Sequence, residues 1–277
     1  MKIKSTRMME ILMAILALIL FLSTIYFLKK DPDEINPPKQ DDDEKVIEVD
    51  YKKIESISGK YYYEDENFTS SFGIDVAEFQ REIDWKKVKD DGVEFAYIRL
   101  GRRGATAGDL YYDDYFEINY KGAKENGLKI GVYFFSQALD EKEAIEEAHF
   151  VLDALKGKQI DLPIAYDCEE VFLEEDLLPR IALLSKEELT KNAITFVEEI
   201  IANGYEAIIY TYPYWLTNFY DLNQIKQYPI WYAQYDIKKP EIDCPIMIWQ
   251  YSNTGTINGI SKETDMNIMF IRKETAE

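Results

Sequence analysis

Seven short apolar, β-rich runs at residues 72–76, 95–100, 129–135, 162–168, 207–211, 230–234 and 247–251 alternate with amphipathic stretches at 84–89, 113–126, 141–155 and 186–202. No other feature restricts the fold as much. A strand followed by a helix and then by another strand brings the chain back in the same direction, so the alternation predicts an α/β fold with a mostly parallel sheet, open or closed into a barrel. Gly127 and Gly204 stand just past two of the helical stretches, where a cap glycine ends a helix. In folds of this kind the chemistry gathers at the C-terminal ends of the strands.

Composition narrows that chemistry. The 277 residues hold 32 Lys+Arg against 52 Asp+Glu, a formal charge of −20. Phosphate binding needs the opposite balance, so nucleic acid is not an expected partner. With 47% hydrophobic and 14% aromatic residues there is ample material for a packed core. The single histidine, His149, removes most zinc sites, Ser-His-Asp triads and Cys-His dyads. Any acid–base catalyst should therefore be a carboxylate. His149 itself lies in the helical stretch 141–155 and reads as an ordinary helix residue. Cys168 and Cys244 are too few for a disulfide framework and are expected as free thiols.

Residues 11–28 are an uncharged run of 18, long enough to cross most of a bilayer core. Lys2, Lys4 and Arg7 precede it, which by the positive-inside rule puts the N-terminus in the cytoplasm and the remainder of the chain outside, although Lys29 and Lys30 pull the other way. A cleaved signal peptide is the competing reading; the run is longer than an ordinary signal core and no Ala-x-Ala site follows it. The expected location is the cell membrane, single-pass, with the folded part extracellular. Nine acidic residues and three prolines fall within residues 31–50, a composition that stays extended and repels itself. The expected organisation is residues 1–30 as cytoplasmic start and anchor, 31–70 as an acidic, mostly disordered linker, and 71–277 as the catalytic domain.

The strand Leu162-Pro163-Ile164-Ala165-Tyr166 runs into Asp167-Cys168-Glu169. Side chains alternate with period two, so Asp167 and Glu169 share one face and Cys168 takes the other. Two carboxylates that close push one pKa upward, the usual way to keep an acid protonated for general acid work. A surface strand end with both carboxylates in water is the plain alternative. Gly73-Ile74-Asp75-Val76 sets an aspartate between apolar residues, where core patterning would not place a charge, and Asp265-Met266-Asn267 opens the last segment in the same manner. Each alone reads as a turn or cap residue. Three acidic sites at comparable positions of an alternating fold are harder to dismiss.

Further segments stand in order along the chain: Ile83-Asp84-Trp85, Phe95-Ala96-Tyr97-Ile98-Arg99, residues 119–127, Gly131-Val132-Tyr133, Gly204-Tyr205, Ile209-Tyr210-Thr211, Trp231-x-Ala233-x-Tyr235 and Trp249-Gln250-Tyr251. Together with the acidic motifs they resemble glycoside hydrolase family 25, the lysozymes that cut the MurNAc–GlcNAc bond of peptidoglycan. The resemblance covers residues 72 to 270. It implies a flattened, incomplete β/α (TIM-like) barrel with an acidic groove, peptidoglycan glycan strands as partner, and no metal or organic cofactor; a monomer is expected. It makes Glu169 the general acid and Asp75, Asp167 and Asp265 the other active-site acids. The departures are Ala77 for a Ser, Phe79 where His is common, and Phe134 where His often follows Tyr133; they bear on substrate contacts and pH optimum.

For the second catalytic role two readings stay open. Asp167 orients the substrate's own N-acetyl group for internal attack, or Asp75 or Asp265 serves as nucleophile or charge stabiliser. The first is favoured by the same-face Asp-x-Glu spacing. Tyr133, Tyr166, Tyr212, Trp231 and Tyr235 fall at or beyond strand ends as candidate sugar contacts, with Gln250 a candidate polar one. A catalytically weak or inactive, membrane-tethered glycan-binding domain is the alternative function.

Overall fold

The computed structural model describes residues 48–174 and 177–274. The anchor expected at 11–28 and the acidic run up to residue 47 lie outside the described residues. Among the described residues no helix is long and apolar enough to cross a membrane.

The first elements are a single 3-10 turn at Tyr51–Lys53 and a hairpin of β1 (Glu55–Ile57) and β2 (Lys60–Tyr62), closed by Ser58 and Gly59 at positive φ. The remaining strands are β3 (Phe68–Val76), β4 (Phe95–Arg103), β5 (Leu110–Tyr112), β6 (Lys129–Phe135), β7 (Ile164–Asp167), β8 (Ala207–Thr211), β9 (Ile230–Ala233), β10 (Ile248–Gly255) and β11 (Thr264–Arg272). The helices are α1 (Trp85–Asp90), α2 (Phe116–Glu125), α3 (Glu141–Ala154), α4 (Lys186–Ala202), α5 (Pro213–Asn218) and α6 (Leu222–Ile225). The sequence states where three of them begin: Asp84, Asp140 and Ser185 cap α1, α3 and α4 by accepting a backbone N–H three residues on. Ser185 and Glu188 complete a reciprocal capping box at α4.

Strands β3, β4, β6, β7, β8, β9 and β10 pair in parallel in that order. β11 then pairs antiparallel with both β10 and β3 and closes an eight-stranded barrel. The incomplete barrel implied by the resemblance is therefore corrected: the strand ring is closed. What falls short is the helical layer, since the β9–β10 crossover at residues 234–247 has no helix. β5 adds to β4 outside the ring. The eighth strand escaped the sequence reading because its inward positions at the mouth, Asp265 and Asn267, are polar and mask the alternation of Met266, Ile268 and Phe270 on the other face.

Two apolar layers follow from period-two alternation. Phe95, Tyr97, Ala165, Ile208, Tyr210, Trp231, Ile248 and Met269 fill the barrel interior, while Ile98, Val132, Phe134, Tyr166, Ile209 and Ile268 face outward to pack under the helices with Val151, Phe196 and Val197. Each fully buried large side chain contributes roughly 1.5–3 kcal/mol of transfer free energy. The interior is tight enough to dictate glycines. A Cβ on Gly73 would stand 2.3 Å from the Phe95 ring, and one on Gly131 2.5 Å from Tyr97. These two residues let aromatic rings cross the barrel.

Part of the stretch expected as linker, residues 51–63, packs on the barrel wall. Tyr61 stacks on Tyr251 of β10 with centroids 4.2 Å apart, and Tyr63 meets Phe270 of β11 edge-on at 5.8 Å. Residues 51–63 are rich in tyrosine, which buries apolar area against the barrel wall that an acidic linker does not have.

Candidate active site

At the C-terminal ends of the parallel strands a cleft of about 300 Å³ opens, lined by Asp75, Asp167, Glu169 and Asp265 together with Phe79, Arg99, Tyr133, Phe135, Tyr210, Trp231, Tyr235, Gln250 and Asn253. All four acids singled out in the sequence meet here. Asp75 is the next-to-last residue of β3 and Asp167 ends β7, with Glu169 two residues further; Cys168 between Asp167 and Glu169 turns into the outer core. Asp265 arrives from the opposite direction. Because β11 is antiparallel, its beginning lies at the mouth, and Asp265 is the register partner of Asp75.

Asp75 is the best-supported carboxylate. Its Oδ1 accepts from Gln250 Nε2 at 2.8 Å and from Asn267 Nδ2 at 2.7 Å. Asn267 is aimed by the indole of Trp231, which donates to its Oδ1 at 2.8 Å, and Gln250 by Tyr210 and Tyr235, which both donate to its Oε1. Arg99 is the cation of the cleft, and it is already paired: Nε donates to Asp113 at 2.8 Å and Nη2 to Glu78 at 2.8 Å. Phe79 lies over its guanidinium at 4.9 Å. The cleft is thus strongly acidic.

So much negative charge in a buried space cannot all ionise. Burial lifts Asp75 to about 6, against the pull of its amide donors from Asn267 and Gln250. Burial first, then the charges of Asp75 and Glu169, lift Asp265 to about 8. Burial and the neighbouring Asp75 raise Glu169 to about 7, and burial with the Glu169 charge pushes Asp167 well above the usual range. Asp167 and Glu169 therefore titrate as a pair, both held above the usual carboxylate range. Asp75, with two amides bonded to it, is the group best suited to remain the anion.

The aromatic candidates divide. Tyr133, Trp231, Tyr235 and Gln250 line the cleft, and Tyr212 lines its continuation past Glu169, Tyr210 and Pro213. Tyr166 does not reach it. Placing Tyr166 among the sugar contacts is corrected by the same alternation that brings Asp167 inward: Tyr166 points out, 1% exposed, packs on Phe196 of α4 at 5.1 Å and bonds Ser136 through its hydroxyl. Arg99, Tyr210 and Asn267 belong to the site, although the sequence offers them only as parts of motifs and gives them no site role. A charged or amide residue inside an apolar strand was the available signal. Cys168 and Cys244 are both free, Cys168 buried.

Paired carboxylates and aromatic walls at the mouth of a β/α barrel are the parts that glycoside hydrolysis uses. The chain belongs to glycosyl hydrolases family 25, whose family model matches residues 74–260. It is 35% identical over 198 residues to the autolytic lysozyme of Clostridium acetobutylicum, a match covering 70% of this chain and 54% of that protein. The modular autolysin LytC of Streptococcus pneumoniae, solved with a synthetic peptidoglycan ligand, superposes with a TM-score of 0.66 at 23% identity over 78% of this chain and 51% of that one. A family 25 glycosyl hydrolase from Bacillus anthracis superposes with a TM-score of 0.61 at 22% identity, covering 78% of this chain and 94% of the other. The chain spans about half the length of the Clostridium relative. The two solved structures speak for the fold alone.

Proposed function

We propose that this chain cleaves the β-1,4 bond between N-acetylmuramic acid and N-acetylglucosamine in peptidoglycan, as a muramidase working through its own carboxylates. The convergence of Asp75, Asp167, Glu169 and Asp265 in one cleft carries this reading. Glu169, the more open member of the pair, gives its proton to the leaving glycosidic oxygen. Asp167 holds the N–H of the substrate's acetamido group so that the acetamido oxygen attacks C1 and the C1–O bond breaks. Water then attacks C1 and displaces the acetamido oxygen, which restores the acetamido group, while the proton lost by the water returns to Glu169. The Asp75 carboxylate, fixed by Gln250 and Asn267, supplies negative charge for the oxocarbenium-like centre. A wall-binding module without turnover would have no use for four acids in one cleft, two of them buried at a desolvation cost to the fold.

The proposal extends to location: residues 11–28 as a single-pass anchor, the acidic run after it as a spacer, and the catalytic domain outside the cell, acting as a monomer. Protease added to intact cells should cut in the spacer; protection there would reverse the orientation. For the reaction itself, the described domain is incubated with purified peptidoglycan and the new reducing ends are identified. Muramic acid ends are expected. Glucosamine ends would make it a glucosaminidase, and binding without new ends would leave only a glycan-binding domain.

A further inference from the structure

Behind the cleft a buried ion pair reaches the proposed acid through a single side chain. Arg103, at the end of β4, and Glu147, on the inner face of α3, are enclosed, and Arg103 Nε donates to Glu147 Oε1 at 2.7 Å. Arg103 is held in turn by the carbonyls of Gly108 at 2.8 Å and Glu143 at 3.0 Å. Glu147 Oε1 also accepts the backbone N–H of Gln137 at 3.3 Å. The Gln137 side chain turns toward β7, where Nε2 donates to the backbone carbonyl of Glu169 at 3.2 Å. One residue earlier, the N–H of Ser136 donates to the carbonyl of Asp167 at 2.7 Å. Asn192 of α4 fixes the far side of this turn by donating to the carbonyl of Ala138 at 2.9 Å.

A buried charge pair is a weak source of net stability, because desolvation offsets most of its attraction. Here it fixes a donor. Glu169 stands beyond the end of β7, where no strand ladder holds its backbone. We propose that Gln137, aimed by the Arg103–Glu147 pair, is a positioning residue that holds Glu169 in the geometry for proton donation. The inference rests on the reading of Glu169 as the acid. Gln137 touches the Glu169 carbonyl and acts only through it.

Gln137→Met keeps length and volume and removes the amide donor. On soluble peptidoglycan fragments kcat should fall about tenfold, as for a modest displacement of a reacting group, with KM and Tm held. Glu147→Gln, which keeps shape but loosens the grip on the turn, should lose kcat in the same sense and serves if Gln137→Met does not fold. In a Glu169→Gln background, where there is no proton to aim, adding Gln137→Met should change the residual rate less than about twofold. Wild-type kcat in both variants overturns the proposal. So does the same tenfold loss in the Glu169→Gln background, or, for Gln137→Met, a loss of kcat that follows a fall in Tm. Wild-type turnover by Glu169→Gln alone would instead overturn the assignment of the acid, a separate failure.

Discussion

Asp167 and Glu169 stand two residues apart at one strand end, whereas Asp75 and Asp265 stand 190 residues apart and meet only because β11 runs back along β3 with the two aspartates in register. The first pair is made by local alternation and held through its backbone, by Ser136 and Gln137. The second is made by barrel closure, and its Asp75 is held through the side chain, by Gln250 and Asn267. A backbone clamp leaves carboxylate oxygens free to exchange a proton. Amide donors to the carboxylate stabilise its anion instead. The two constructions suit an acid and a fixed charge respectively.

Removing the acid should have the largest effect. Glu169→Gln keeps shape but delivers no proton and should lower kcat on peptidoglycan by about 10²–10⁴-fold, with binding and Tm retained. Wild-type turnover would dissolve the distinction between the pairs. Asp75→Asn should cost about 10²-fold, since it removes the fixed charge and sets an amide against the donors Gln250 and Asn267. If the Asp75 charge is what matters, Asn267→Leu should reproduce part of that loss; activity unchanged in both variants would leave Asp75 structural.

The first pair was legible in the sequence because period two is a local rule, and α4 was legible in full because its capping box and apolar periodicity agree over 186–202. The partnership of Asp75 with Asp265 was not, since register across a closing barrel depends on every strand between them. The hairpin β1–β2, the short helices α5 and α6 and the edge strand β5 are each too brief for a periodic signal and are defined by what they pack against. Tyr166 shows that a strand-end aromatic next to an inward acid must itself point outward.

A smaller effect concerns pH and stability. Asp75, Glu169 and Asp265 hold protons more tightly folded than unfolded, at about 6, 7 and 8. Raised carboxylate pKa values contribute stability that is present at acid pH and lost as pH rises through that window. Tm should therefore be higher near about pH 5 than near about pH 9, and Asp265→Asn should flatten the slope. A slope unchanged by Asp265→Asn would place the proton elsewhere. Smallest of all, Tyr166→Phe keeps the ring on Phe196 and removes only the hydroxyl bond to Ser136, so it should cost about 1 kcal/mol of stability and leave kcat within about twofold.

The division of labour within the Asp167–Glu169 pair is tested most directly by comparing Glu169→Gln and Asp167→Asn on glycan and on an aryl glycoside of the same sugar, whose leaving group needs no protonation. Both variants should be slow on glycan. On the aryl glycoside Glu169→Gln should recover part of its rate, because the proton it lacks is no longer needed, while Asp167→Asn should stay slow, because the acetamido group is still unheld. Equal recovery of both variants, or recovery of Asp167→Asn alone, would contradict the assignment of Glu169 as acid and Asp167 as orienter.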